Sequence, residues 1–154
     1  MRQFLFDVYH NLFLEALQKS HDITLAAIAK KSIKEANYHQ RFSSDWVRRL
    51  GDGTDESNTR VQAAVDTLWA YTDELFHQTE VDKLMVTEGI GVDVTLLKEK
   101  YYDRVNALLQ EANIAIPETK WFQKGGKEGV HTEHMGYILN DMQFMQRTYP
   151  NMEW

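Results

Sequence analysis

Apolar residues recur at steps of three and four along most of the chain, which is the spacing of one face of an α-helix. The longest such run covers residues 22–50, and its recurring residues are Leu25, Ile28, Ala29, Ser32, Ala36, His39, Ser43, Trp46 and Leu50. Ser20 or Asp22 is placed to cap its start, and Gly51 lies at its end, where a left-handed residue is favoured. The pattern predicts one helix roughly 40 Å long, with the recurring residues on its inner face.

The segment 3–19 is apolar on nearly all sides. Its apolar residues are Phe4, Leu5, Phe6, Val8, Tyr9, Leu12, Phe13, Leu14 and Leu17. A helix of this kind must be buried on several sides. Because it begins almost at the first residue, we expect either that a partner covers one side or that upstream helices are missing from this chain.

Further helices are predicted downstream. Ser57 or Thr54 is placed to cap a helix over residues 57–77, and Asp93 to cap another over 94–112. Between them, Thr79 and Asp82 resemble a capping box that opens a short helix ending near Gly89. The predicted inner faces hold Val61, Ala64, Val65, Leu68, Tyr71, Thr72 and Leu75 in one helix and Leu97, Tyr101, Val105, Leu108 and Ala112 in the other. These segments predict an all-α protein.

The C-terminal part begins with a loop at residues 113–130, which contains Pro117 and three glycines. A last helix is predicted over 131–148, with Thr132 as a candidate cap and Pro150 ending it. Its apolar stripe holds Met135, Ile138, Leu139, Met142 and Met145, and we interpret the methionines as core filler. We expect Trp154 to dock back onto the protein.

Composition narrows the class of protein. A chain of 154 residues with 43% hydrophobic and 26% charged residues is expected to form one domain, residues 1–154. The net charge of −6 disfavours binding to nucleic acid or to an anionic membrane. Neither a signal peptide nor a membrane span is visible. The absence of cysteine excludes disulfides and thiolate sites and agrees with our expectation of a cytoplasmic protein.

Candidate chemistry lies first on the long helix. Glu35 and His39 are four residues apart, and a carboxylate with an imidazole projecting into a helical bundle is the raw material of a metal site. Di-iron bundles use a Glu-x-x-His spacing of three, but the residue three before His39 is Ala36, which cannot bind iron. The alternative is a surface pair on one helix.

Three other candidate sites carry weaker signals. Asp7 and His10 are three apart and could bind a metal, or Asp7 and His10 could be a buried polar pair bonded to neighbouring helices. His131, Glu133 and His134 could chelate a metal, or simply complement the start of a helix. Lys124 and Lys127 lie in a glycine-rich stretch that could bind phosphate, including that of coenzyme A, or merely connect two helices.

Several segments together carry a family resemblance that covers essentially the whole chain. These are RQFLFDVYHNLF, AIAKKSIKEANYHQRFSSDWVRRLGDGT, LWAYTDELF and, most specifically, GGKEGVHTEHMGYILNDMQFMQRTYPNMEW. They closely resemble the C-type subunits of the bacterial phenylacetyl-CoA epoxidase, also called ring-1,2-phenylacetyl-CoA monooxygenase. The resemblance implies a ferritin-like helical bundle and a role in aerobic phenylacetate degradation.

In that family the related A-type subunits are understood to hold the di-iron centre, with electrons from NADPH through the flavin (FAD) and iron–sulfur groups of a reductase. The C-type subunits are their catalytically silent partners, so the resemblance implies no cofactor in this chain. It also implies that the chain pairs with the di-iron catalytic subunit of the epoxidase, as well as with other members of the complex. The candidate ligands, which are then vestigial, are Asp7, His10, Glu35, His39, His131 and His134.

The chain resembles only the C-terminal part of the family's length. We therefore expect a partial bundle that lacks the first two helices and self-associates through the exposed faces. Two alternatives to the scaffold role stay open. One is a free-standing ferritin-like metalloenzyme, and the other is a helical interaction protein outside this pathway.

Overall fold

The computed structural model describes residues 1–119 and 121–153, so Trp154, with its expected docking, lies outside the described residues. Within these ranges the structure is helical and contains no β-strand. The α-helices are α1 Arg2–Leu17, α2 Ile23–Gly51, α3 Asp55–Leu68, α4 Glu80–Thr87, α5 Lys98–Glu111, α6 His134–Met142 and α7 Phe144–Thr148. Short 3₁₀ helices cover Trp69–Tyr71, Asp73–Phe76, Val94–Leu97 and Gly126–Glu128. The all-α prediction is confirmed.

The chain divides into two compact units, Met1–Gln123 and Lys124–Trp154. Our expectation of one ferritin-like domain over residues 1–154 stays a prediction. No helix in the described ranges has both the length and the apolar character needed to cross a membrane.

The core of the first unit forms around α1. This helix packs against α2 on one side and α5 on another, as the apolar sequence of residues 3–19 requires. Its main cluster joins α1, α2, α3, α5 and the 3₁₀ turns between α3 and α4, and its fully buried members include Phe4, Val8, Leu12, Val65, Tyr101, Val105 and Leu109. Burying each of these large side chains stabilises the fold by about 1.5–3 kcal/mol.

Most predicted caps are confirmed. The Asp22 carboxylate accepts hydrogen bonds from the Thr24 and Leu25 amides at the start of α2. A reciprocal capping box joins Thr79 and Asp82 at α4, which is followed by Gly89 in the left-handed conformation. Asp93 also acts as a cap, but it begins the 3₁₀ turn Val94–Leu97 that leads into α5.

The third predicted helix is shorter than expected. Thr54 caps α3, and the α-helix ends at Leu68, after which two 3₁₀ turns continue to Phe76. These turns place Trp69 and Phe76 in the core and leave Tyr71 exposed. The Thr72 hydroxyl donates to the Trp69 carbonyl at 2.8 Å, which supports the tighter winding.

The predicted role of Gly51 is wrong. No positive φ is found there, and Gly51 is the last residue of α2. A Cβ at this position would instead collide with the carbonyl oxygen and the Cβ of Ala112. Glycine is therefore required because α2 approaches the end of α5 closely, and a local turn plays no part.

The inner face predicted for α2 is only partly correct. The structure buries Ala29, Ala36, Ser43, Ser44, Val47 and Gly51, whereas Ile28, His39, Trp46 and Leu50 are exposed. Most of the buried residues are small, which lets α1 and α2 approach closely. The bulky residues that dominated the sequence pattern lie on the outward side.

In the second unit, the predicted helix 131–148 is broken at Gln143 into α6 and α7. Thr132 does not cap it, because the residue before α6 is Glu133 and no side-chain cap bond forms. Two of the three methionines are not core filler, since Met142 is 72% exposed and Met145 is 43% exposed, whereas Met135 is half-buried. The described part of this unit has no buried residue, since so short a segment builds no core of its own.

Candidate functional site

A row of polar side chains lies between α1 and α2, where a metal-binding bundle would carry its ligands. We call it the polar seam, and its members are Gln3, Asp7 and Asn11 on α1 with Asn37, Gln40 and Ser43 on α2. These residues project towards the partner helix because they recur at three- and four-residue steps on each helix. The seam therefore joins the two longest helices of the unit.

Asp7 anchors one end of the polar seam. It is 3% exposed, and its carboxylate accepts a hydrogen bond from Gln3 Nε2 at 2.6 Å and one from Ser43 Oγ at 2.8 Å. A buried carboxylate is costly unless it is hydrogen-bonded, and these two bonds supply that compensation. The expectation that Asp7 would bond to a neighbouring helix is confirmed.

Asn11 occupies the other end. It is 1% exposed, and its Nδ2 donates to Asn37 Oδ1 at 2.9 Å and to Gln40 Oε1 at 2.7 Å. Its own Oδ1 is buried and has no partner within the described part of the chain. The seam is thus filled by amides and a hydroxyl, with Asp7 as its carboxylate.

The Glu35–His39 pair lies outside the seam. Its closest approach is 3.8 Å, between Glu35 Oε1 and His39 Nε2, and the two side chains are 77% and 50% exposed. Ala36, by contrast, is buried at 4% exposure on the inner side of α2. The pair is a surface pair on one helix, which is the alternative that the sequence left open.

The remaining candidate ligands are dispersed. His10 stacks on Phe6 with ring centroids 5.5 Å apart. His131 and His134 are exposed in the second unit. No group of three or more His, Asp or Glu residues able to hold a metal exists among residues 1–119 and 121–153. The residues that are present do not fit a di-iron centre, which needs several carboxylates and imidazoles around one point.

Lys124 and Lys127 lie in the second unit, where Lys127 belongs to the 3₁₀ turn Gly126–Glu128. Gly125 and Gly129 flank this turn in the left-handed conformation. The turn is three residues long, and both lysines have interactions within the protein. Binding of coenzyme A phosphate by these lysines stays a prediction.

Sequence reasoning found Asp7 but missed Asn11, Asn37 and Gln40. A usable signal existed, because Asp7 and Asn11 are polar residues four apart in a segment that is otherwise almost wholly apolar. On α2, the signal was weak, because polar residues occur all around that helix. Which of them face inward depends on the position of α1.

The family model described as "Phenylacetic acid catabolic protein" matches residues 1–154. The chain belongs to this family, and the ferritin-like fold expected from the resemblance is confirmed. It is also similar to the C-type subunit of the 1,2-phenylacetyl-CoA epoxidase of Escherichia coli (strain K12), with 43% identity over 153 residues. That alignment covers 99% of this chain and 62% of the relative, so the chain spans less than two thirds of the relative's length.

Proposed function

We propose that this chain is a non-catalytic subunit of a multicomponent phenylacetyl-CoA epoxidase that acts in phenylacetate degradation. Its role is to pair with and to support the di-iron catalytic subunit. The similarity to a C-type epoxidase subunit supports the pathway and the complex. The match of residues 1–154 to the family of phenylacetic acid catabolic proteins also supports the pathway.

The polar seam is the observation that carries the non-catalytic part of the proposal. Ferritin-like di-iron proteins direct a Glu or a Glu-x-x-His motif inward from each helix of the bundle. Here the inward positions of α1 and α2 hold Asp7, Asn11, Ala36, Gln40 and Ser43. Neutral amides, a hydroxyl and a methyl group are poor iron ligands, and the one carboxylate is already bonded to Gln3 and Ser43.

In this proposal the chain contributes by holding its neighbour in position. A rigid packed partner fixes the helices of a catalytic bundle and shapes the entrance for the acyl-CoA substrate, which is preorganisation. The iron belongs to the catalytic partner. NADPH, FAD and the iron–sulfur group belong to the reductase of the complex. None of the candidate ligands in this chain is assigned a catalytic role.

Two measurements on the purified proteins test the proposal. Co-expression with the catalytic subunit should yield a complex that survives size-exclusion chromatography. The chain expressed alone in iron-supplemented medium should contain less than about a tenth of an equivalent of iron by elemental analysis, since it lacks a set of deprotonated ligands. Recovery of one or two equivalents, lost in a Glu35→Ala/His39→Ala variant, would make the chain a metalloprotein instead.

A further inference from the structure

The four residues that follow the C-cap of α5 form an ordered segment, residues 113–116, which we call the strap. Its first residue, Asn113, has a φ of 55°, in the left-handed region. The Asn113 amide donates to the Gln110 carbonyl at 3.1 Å. The Ile114 amide donates to the Leu109 carbonyl at 2.9 Å. These two bonds form a Schellman motif, so the strap begins as the cap of a helix.

Two amide side chains of α3 bind the backbone of the strap. Asn58 Nδ2 donates to the Asn113 carbonyl at 3.1 Å and to the Gly51 carbonyl at the end of α2 at 2.7 Å. Gln62 lies one turn further along α3 and binds Ala115 twice. Its Oε1 accepts a hydrogen bond from the Ala115 amide at 2.8 Å, and its Nε2 donates to the Ala115 carbonyl at 3.0 Å. A single side chain thus pairs with the strap as a residue of an adjacent β-strand would.

The side chains of the strap bury little. Ile114 is 3% exposed and belongs to the main apolar cluster, whereas Asn113 and Ala115 are exposed. Both hydrogen bonds between Gln62 and Ala115 are also open to solvent. A segment with few buried contacts and solvent-exposed backbone bonds opens at low cost while its surroundings stay folded. One apolar side chain and a few amide bonds therefore keep the strap closed.

We infer that the strap opens as one unit while α3 and α5 stay folded, and that Gln62 holds it closed. Gln62 is held in position for this role, because its Nε2 also donates to Asp66 Oδ1 at 3.0 Å, one turn further along α3. Opening breaks both bonds to Ala115 and withdraws Ile114 from the main apolar cluster. Proteins draw the elements that move from such regions of low local stability.

Native-state hydrogen exchange of the full chain, measured by NMR at single amides, tests this inference. The Ile114 and Ala115 amides should show protection factors within about threefold of each other, because they become accessible in the same opening. Both should be at least about 100-fold less protected than the Val105 and Leu109 amides in the core of α5. Equal protection of all four amides would mean that the strap opens only when the whole unit unfolds, and would overturn the inference.

The Gln62→Ala variant tests what holds the strap closed. Exchange at Ile114 and at Ala115 should become about tenfold faster, because both bonds from Gln62 to the strap are lost. Ile114 is the decisive readout, since its amide is bonded to the Leu109 carbonyl and not to Gln62. Faster exchange at Ala115 alone would show that Gln62 shields one amide and does not control the strap.

The matched control is Gln110→Ala, the same substitution at an exposed residue in the last turn of α5. It should leave exchange at Ile114 and Ala115 within about twofold of the wild type. An equal acceleration in this variant would assign the effect to the end of α5, and Gln62 would lose its role.

A second substitution covers the case in which Gln62→Ala also lowers the protection of Val105. Gln62→Glu keeps an acceptor for the Ala115 amide but sets a carboxylate oxygen against the Ala115 carbonyl. Because two acceptors repel each other, exchange at Ile114 should again be faster than in the wild type. Unchanged exchange at Ile114 in this variant would overturn the inference.

Discussion

The two buried sides of α1 are made of different chemistry. Towards α5 the helix presents Phe4, Val8 and Leu12, which belong to the main apolar cluster. Towards α2 it presents Asp7 and Asn11, which are as deeply buried but are held by hydrogen bonds, and beyond them Leu14, which packs with Ala29 and Ala36. One 16-residue helix thus belongs to an apolar core on one side and to the polar seam on the other.

The two sides of α1 contribute in different ways, one to the stability of the fold and the other to the specificity of helix pairing. Apolar contacts have no direction, so the α5 side stabilises the fold in proportion to the area that it buries. A buried polar group must meet its partner, so the seam penalises any register of α1 against α2 that leaves Asp7 or Asn11 unpaired. We infer that the core holds the unit together and that the seam fixes how its two longest helices pair.

The largest effect is expected on the apolar side. Leu109 is 0% exposed within α5, and Leu109→Ala should lower the free energy of unfolding by about 2–5 kcal/mol through lost burial and the cavity left behind. Chemical denaturation of the full chain measures this loss. Leu96→Ala is the matched control, because Leu96 is 78% exposed and its loss should change stability by less than about 0.5 kcal/mol. Similar losses in the two variants would remove the distinction between core and surface.

The next effect is expected in the polar seam. Asp7→Ala removes the acceptor of Gln3 and Ser43 and leaves the buried Ser43 hydroxyl without its partner on α1. We expect a loss of about 1–3 kcal/mol, because two hydrogen bonds to a charged group disappear and the Ser43 hydroxyl keeps only the Gln40 carbonyl, at 3.2 Å, as an acceptor. Asp45→Ala, which breaks an exposed pair with Arg48, should cost less than about 1 kcal/mol in the same denaturation assay. A neutral Asp7→Ala would mean that the seam does not fix helix pairing.

The two buried sides of α1 can be predicted from the sequence to different degrees. The apolar side follows from periodicity alone: Tyr101, Val105, Leu108 and Ala112 were expected on the inner face of their helix, and all four are buried. The caps Asp22, Thr79 and Asp93 were also predictable, because capping depends on residues within one turn. Such local rules need no knowledge of tertiary packing.

The side of α1 that faces α2 was not predictable in the same way. Apart from Val47, the buried residues of α2 are alanines, serines and Gly51, so the bulky exposed residues indicated the wrong side of the helix. Asp7 was found as a buried polar candidate, but its partner Ser43 is 36 residues away and no local pattern links the two. Gly51 was noticed but misread, since its constraint comes from Ala112 across the fold.

A smaller effect on stability, which depends on pH, is expected from the tyrosine hydroxyl that lies in the apolar core. Tyr101 is 0% exposed, and its Oη has no hydrogen-bond partner in the described structure. Burial raises the pKa of Tyr101 and of Tyr102, and burial together with the Asp82 carboxylate raises the pKa of Tyr9 to about 12. These tyrosines are thus held protonated in the folded state.

The direction of this pH dependence follows from the linkage between proton binding and folding. An unfolded tyrosine ionises at a pH of about 10, so the stability that these residues contribute is fully present below pH 10. It is lost as the pH rises from there through their raised folded-state pKa values. Thermal midpoints should therefore fall between about pH 10, the pKa of an unfolded tyrosine, and about pH 12, the folded-state pKa of Tyr9.

The Tyr101→Phe variant isolates the contribution of one tyrosine to this loss of stability at alkaline pH. Removing an unpartnered buried hydroxyl should leave stability at neutral pH unchanged or raise it by up to about 1 kcal/mol. The variant should also lose less stability at alkaline pH than the wild type, which thermal unfolding measures. Tyr71→Phe, at an exposed position, serves as the control. An alkaline loss identical to that of the wild type would show that Tyr101 does not titrate with unfolding.

The smallest effect sharpens the comparison between the inward and outward sides of α2. His39 and Ser43 are one turn apart, but His39 is exposed beside Glu35 whereas Ser43 is 7% exposed and donates to Asp7. His39→Gln should change the free energy of unfolding by less than about 0.5 kcal/mol, because an exposed i,i+4 pair contributes a few tenths. Ser43→Ala, measured alongside it by denaturation, should cost about 1 kcal/mol. The two substitutions are equally local and disturb the same helix. A larger loss for His39→Gln would therefore place the imidazole in a buried contact and contradict the orientation of α2 on which the polar seam depends.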